Sequence, residues 1–249
     1  MIYDAIVVGK GEVGSSLLKA LKKKNRTIKA IDIKDKDFSK ALNNSKCLTL
    51  HITIPYFKKD FILYCLKYIK FFEPRLVIIH SSVPVGTTDE LISKTKKKIK
   101  SDELMIVHSP VRGQHPNLTE SLLYFVKYIG TENEKAYLEA KKELAPMKTK
   151  WFNNTKATEL GKLLCTSYYG VIISWHREMK KMCDKFGVNF EEAVTDVNTT
   201  YNSGYKKFRP NVIRPTLYPP VGAIGGHCVV PNAKLLGTQF KSKFLELIK

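Results

Sequence analysis

The sequence predicts an α/β fold, an N-terminal Rossmann-type doubly wound sheet followed by a smaller α-helical domain. Short apolar runs alternate with amphipathic stretches through the first part of the chain, the pattern of parallel strands joined by crossover helices. A glycine-rich turn, Gly9-Lys10-Gly11-Glu12-Val13-Gly14, lies between the first run and the first helical stretch. From Thr155 the pattern changes to the three-and-four spacing of one long helix. These observations divide the chain into residues 1–153, a sheet domain, and residues 154–249, a helical domain.

The strands expected in the first domain are Ala5–Val8, Thr27–Ile33, Leu48–Ile54, Leu76–His80, Met105–His108 and Phe125–Ile129, each a short apolar run bounded by polar or turn residues. Between them, Glu12–Lys23, Phe57–Phe71, Thr88–Lys97 and Asn133–Leu144 carry helical periodicity. In the second domain Leu160, Leu164, Tyr168, Val171, Trp175 and Met179 form a stripe expected to be buried. Glu159, Lys162 and Thr166 fall together on the opposite face, where a site or a second interface is expected. A further helical stretch is expected around Phe190–Val197, then an irregular Pro- and Gly-rich segment from Arg209 to Gly226, then a short basic helix at the C-terminus.

The composition is that of a globular chain: 249 residues, 43% hydrophobic and 26% charged. Lys and Arg number 42 against 23 Asp and Glu, a net charge of +19. The basic residues come in scattered short clusters such as Lys22-Lys23-Lys24, with no arginine-rich arm, so a solvated surface explains them better than nucleic acid does. A polyanion-binding protein on a Rossmann scaffold is the weaker alternative that the charge alone motivates. Five cysteines, widely spaced and with no zinc-ligand pattern, fit a reduced, cytoplasmic protein. The N-terminal apolar run is too short for a signal peptide, and no run approaches the ~20 residues needed to span a membrane.

Chemistry is concentrated in a few segments. In a strand–turn–helix context, Gly9 allows the tight turn, Gly11 lets a pyrophosphate approach the backbone, and Gly14 permits close helix–strand packing. Glu12 and Val13 open the helix whose N-terminus would face the phosphates. Asp32, near the end of the second strand, is placed to accept hydrogen bonds from an adenosine ribose, which favours NAD over NADP. Lys10 and Lys34 nearby leave room for a 2′-phosphate. The loop Ser81-Ser82-Val83-Pro84-Val85-Gly86-Thr87-Thr88 follows the fourth strand on the side where such sheets bind ligands, so Ser82, Val83 and Pro84 join the candidate cofactor residues.

Together with Ser109-Pro110-Val111-Arg112, the Glu159-Leu160-Gly161-Lys162 helix and Ile224-Gly225-Gly226-His227-Cys228, these segments resemble the UDP-glucose/GDP-mannose dehydrogenase family in the right order along nearly the whole chain. The resemblance implies an NAD-dependent oxidoreductase acting on an alcohol or aldehyde of a small-molecule substrate such as a sugar nucleotide, and a homodimer formed through the long helix. It implies that Cys228 is the nucleophile and that Lys162 supplies positive charge beside it. A thiolate is intrinsically nucleophilic, and a neighbouring cation stabilises both it and an oxyanion.

Three positions differ from the family's pattern. Asn232 stands where the family has an acidic residue, Thr166 where it has an asparagine, and Val111 where it has the glutamate of its S-P-E-R segment. Asn232 and Thr166 are the remaining candidate catalytic residues, and neither is a general base at neutral pH. The chain also ends about twenty residues after Cys228, too short for the family's third, nucleotide-binding domain. The alternative expectation is therefore a diverged or non-catalytic dinucleotide-binding protein that has lost four-electron oxidation.

Overall fold

The computed structural model describes residues 1–22, 26–35, 45–56, 59–99, 104–114, 116–219, 221–224 and 228–248. Two compact units are present, Met1–Lys162 and Leu163–Lys249.

The first unit is built on seven strands, β1 (Ile2–Val8), β2 (Ile28–Ile31), β3 (Lys46–Ile52), β4 (Leu76–Ile79), β5 (Met105–His108), β6 (Lys127–Gly130) and β7 (Thr149–Phe152), in the order β2-β1-β3-β4-β5-β6-β7. The first five pair in parallel, so their runs are apolar on both faces; all four residues of β4 are buried. Alternation sorts them: Leu76 and Ile78 pack into one layer, Val77 and Ile79 into the other. Helices α2 (Lys59–Phe72) and α3 (Thr87–Ile99) lie on the Val77 side, contributing Phe61, Cys65, Ile69, Phe72 and Leu91 to the core. On the Leu76 side lie α1 (Glu12–Leu21), α4 (Leu118–Tyr124) and α5 (Glu134–Glu143), with Leu17, Leu21, Leu118, Leu122, Ala136 and Ala140.

Several sequence-based expectations are corrected. The sheet is not wholly parallel, because β6 meets β5 antiparallel through a single pair, His108 with Gly130. Strand β7, which pairs in parallel with β6, and the short helix α4 were not expected from the sequence. Both are brief, four and seven residues, and four residues carry too little periodicity to read. The second strand stops at Ile31 because Ile33 and Lys34 form a turn; the third begins at Lys46, earlier than Leu48. Phe125 caps α4 and β6 begins only at Lys127. Lys23, Phe57 and Lys58, at the ends of two expected helices, lie outside the described residues.

Helix α6 (Thr155–Phe186) starts in the first unit and continues into the second. Its expected polarity is realised only in part: Val171 and Met179 of the stripe pack against buried clusters, and Lys162 and Thr166 of the opposite face are half-buried. Leu164, Tyr168 and Trp175 of the stripe expected to be buried are half or more exposed, whereas Glu159 is fully buried. Small and hydrogen-bonded residues sit inside instead. Ser174 Oγ donates to the carbonyls of Gly170 and Leu247, and a Cβ on Gly170 would stand 2.7 Å from Val229, so this face is suited to close packing. After α6 come a π-helical turn (Glu191–Asp196) and α7 (Val197–Tyr205), which extends the expected Phe190–Val197 helix. The described part of Arg209–Gly226 is irregular apart from one 3-10 turn, and α8 (Val229–Gly237) and α9 (Lys243–Glu246) finish the unit. Ile224, Ala233 and Ile248 form its small core with Val171, Ile173 and Val229. Among the described residues no helix is long and apolar enough to cross a membrane.

Candidate active site

At the carboxyl end of β1 the chain turns through Gly9, whose φ of +102° falls where L side chains are strained. The turn is pinned from β3: Thr53 Oγ1 donates toward the carbonyls of Val8 and Gly9 at 2.8 and 3.0 Å. A Cβ on Gly14 would lie 1.9 Å from the Gly9 carbonyl oxygen, so only glycine lets α1 sit this close to the turn. Around Gly11 the opposite holds, with nothing within 4 Å of an added Cβ. Open space over a helix N-terminus, walled by a glycine turn, fits the diphosphate of a dinucleotide. Glu12 is exposed at the head of α1, while Val13 packs against the core on the Leu17 side. The crevice lies where the strand order reverses between β1 and β3.

Asp32 follows β2 beside this turn. Its Oδ2 accepts the Lys10 backbone N–H at 2.7 Å and its Oδ1 accepts that of Lys34 at 3.1 Å. Each oxygen retains a further lone pair, so a ribose diol can still be held. Asp35 completes the turn by accepting Asp32 N–H at 2.8 Å and the Lys10 ammonium at 2.7 Å.

The loop after β4 borders the same end of the sheet. Ser82 and Pro84 are half-buried, and Val83 is fully buried in the core layer of α2 and α3. Glu159 determines the loop's exit: its carboxylate accepts Gly86 N–H at 2.6 Å, Thr88 N–H at 2.8 Å and Thr88 Oγ1–H at 2.7 Å, capping α3 from another helix. Burial raises the Glu159 pKa, and the three hydrogen bonds oppose that shift. Lys162, one turn later, is half-buried.

Sequence reasoning missed a buried polar network under this loop. His80 Nδ1 lies 2.9 Å from the Ser109 carbonyl and therefore carries the proton of that bond. Burial, then Lys127 and His51, hold the His80 pKa well below its ordinary range, so its Nε2 accepts from His51 Nδ1 at 3.0 Å. The other His51 nitrogen faces Glu143 at 3.2 Å, and Arg26 clasps the same carboxylate with contacts of 2.7 and 2.8 Å. Burial pushes the Glu143 pKa up, but His51 and Arg26 outweigh it and the net shift is downward. Lys127 is buried beside this network with Nζ donating to the Ser109 and Pro110 carbonyls, and burial, with Lys162 second, depresses its pKa to about 7. His108, bonded to Thr158 and to the Ser81 carbonyl, is lowered to about 3, chiefly by burial. The available signal was polar residues at strand ends inside apolar runs. Of the Ser109–Arg112 segment, Val111 points into the core, while Arg112 stacks over Phe125 and Tyr128.

In the second unit Cys228 is half-buried and caps the N-terminus of α8, with its carbonyl accepting Asn232 N–H at 3.1 Å. Asn232 is buried and its amide donates to Thr166 Oγ1 at 3.1 Å, so two of the candidate residues meet. Cys228 therefore stands at the positive end of the α8 dipole. Gly225, Gly226 and His227 lie outside the described residues.

Over 175 residues the chain is 29% identical to the UDP-N-acetyl-D-mannosamine dehydrogenase of Methanocaldococcus jannaschii, a match covering 66% of this chain and 38% of that protein. The chain is similar in sequence to proteins named as nucleotide-sugar dehydrogenases. No family model matches it. Among solved structures, the UDP-D-ManNAc dehydrogenase of Pyrococcus horikoshii superposes with a TM-score of 0.79 at 20% identity, over 100% of this chain and 68% of that one. The 3-hydroxyisobutyrate dehydrogenase of Mycobacterium tuberculosis gives 0.69 at 13% identity, over 99% and 91%. These two superpositions establish a shared fold. The match to the curated relative spans well under half of its length.

Proposed function

We propose that the protein is an NAD-dependent oxidoreductase of the nucleotide-sugar dehydrogenase type, acting on an alcohol or aldehyde of a sugar-nucleotide-like substrate in the cytoplasm. The observation that carries this reading is the Gly9–Gly14 turn, closed at Gly14 and open over Gly11, with the Asp32 carboxylate beside it. Glu12 and Val13 position the helix end, and Ser82 and Pro84 form the wall after β4, which Val83 anchors from the core. A nicotinamide cofactor held there would take up the hydride that the substrate loses.

The chain's own residues would do the rest. The Cys228 thiolate attacks the aldehyde carbon and forms a thiohemiacetal. Lys162 is the cation that the family resemblance assigns to the oxyanion that develops as this bond forms. Loss of hydride from the thiohemiacetal leaves a thioester on Cys228, which water must then cleave. Asn232 and Thr166, bonded to each other, offer no carboxylate to activate that water, so hydrolysis would be the slow step. The exposed α6 stripe of Leu164, Tyr168 and Trp175 supports a homodimer.

Calorimetry with NAD, followed by mass spectrometry after incubation with NAD and a panel of nucleotide-sugar aldehydes, tests the reading. The expected result is NAD binding and an acyl adduct on Cys228 that Cys228→Ser abolishes while NAD affinity stays unchanged. Failure to bind either NAD or NADP would sink the proposal. A second reading, a dinucleotide-binding protein without catalysis, is favoured by the Asn232–Thr166 bond and by the core position of Val111. NAD binding with a Cys228 inert to every aldehyde would select it.

A further inference from the structure

The turn after β2 holds more charge than a ribose diol requires. Four groups interlock there: Asp32 accepts two backbone N–H groups, and Asp35 accepts one from Asp32 and one from the Lys10 ammonium. The Lys10–Asp35 pair is partly exposed, with 43% and 30% side-chain accessibility, so its worth to folding is small. Its larger consequence is where positive charge is withheld. Lys10 comes from the glycine turn and is the cation that would reach a phosphate beside Asp32, yet Asp35 engages its ammonium at 2.7 Å. The Lys10 hydrogen bond is also the leading reason that the Asp35 pKa is lowered.

We infer that Asp35 is a second specificity-determining residue for the dinucleotide, excluding a 2′-phosphorylated adenosine by neutralising Lys10 and adding a second carboxylate beside Asp32. A diol meets two acceptors and no repulsion. A phosphate dianion meets two carboxylates, with the Lys10 ammonium already engaged. Releasing Lys10 would let it and Lys34 face the phosphate together.

This inference rests on the dinucleotide reading of the glycine turn. The test is calorimetric affinity for NAD and NADP in the wild type, Asp35→Asn, Lys10→Met and the double variant. Asp35→Asn, nearly isosteric, is expected to move the NAD-to-NADP affinity ratio toward NADP by about tenfold, which is ~1.4 kcal/mol. The shift should shrink at high salt, because the freed ammonium is partly exposed. Lys10→Met is expected to move the ratio the other way, and without Lys10 the Asp35→Asn change should gain less for NADP, because only the repulsion by the second carboxylate is then relieved. An unchanged ratio in Asp35→Asn with NAD still bound would overturn the role of Asp35 and leave the dinucleotide reading standing. A gain undiminished by the loss of Lys10 would equally overturn it. A wild type that binds neither dinucleotide would overturn both.

Discussion

At the residue scale, the glycines of the first turn separate structural from ligand roles. Gly14→Ala places a methyl 1.9 Å from the Gly9 carbonyl oxygen, so we expect ~1–3 kcal/mol of destabilisation as well as lost NAD binding. Gly11→Ala adds a methyl into open space; it should leave the urea midpoint unchanged and weaken NAD at least tenfold if the diphosphate lies there. A Gly11→Ala protein with full NAD affinity would remove Gly11 from the cradle. Lys127 makes a different prediction. Its pKa falls from an ordinary 10.5 to about 7 in the folded protein, so between those values the unfolded chain binds the extra proton and stability rises with pH. The slope approaches ~1.4 kcal/mol per pH unit there. His108, lowered from 6.5 to about 3, has the same sign on the acid side: stability is lost as pH falls through that window. Urea titrations from pH 5 to 9 check both limbs, and Lys127→Met should flatten only the alkaline one.

At the element scale, α6 shows why a correct helix was assigned a partly wrong inner face. Its periodicity announces a helix, and Thr155–Phe186 is one. An apolar stripe does not by itself say what covers it, and here the chain's own core takes Val171 from it, adds Leu163, Ser167, Ser174 and Cys183, and leaves Leu164, Tyr168 and Trp175 exposed. Glu159 could enter the interior because Gly86 and Thr88 supply three donors; nothing local in the sequence announces partners more than 70 positions away. The glycine turn and Asp32 were legible because their chemistry is local. The His51–His80–Glu143 network was not, because three elements far apart in sequence supply it. The outward stripe makes its own prediction. If a second copy covers it, Trp175→Glu together with Tyr168→Glu should convert a dimer to a monomer in sedimentation without lowering NAD affinity, and a wild type that sediments as a monomer would remove the homodimer.

At the scale of the whole molecule, the question is what a charge of +19 does when no carboxylate excess balances it. The acidic residues are often already engaged: Glu143 by Arg26 and His51, Asp35 by Lys10, Glu90 by Lys94, Asp184 by Lys180. Many lysines therefore repel one another across the surface, and compactness bears that cost. Screening relieves it, since the Debye length shortens to ~8 Å at physiological ionic strength and ~3 Å at 1 M. Thermal stability is accordingly expected to rise between 20 and 200 mM sodium chloride, with sodium sulfate no better than its ionic strength predicts. A polyanion groove would behave differently, because aligned lysines release many counterions on binding and give a steep fall of affinity with salt. For scattered clusters we expect weak retention on immobilised nucleic acid and a salt slope corresponding to only one or two phosphates. A slope of six or more would mean that the basic residues form a continuous track, and the surface charge would then have to be read as a binding site.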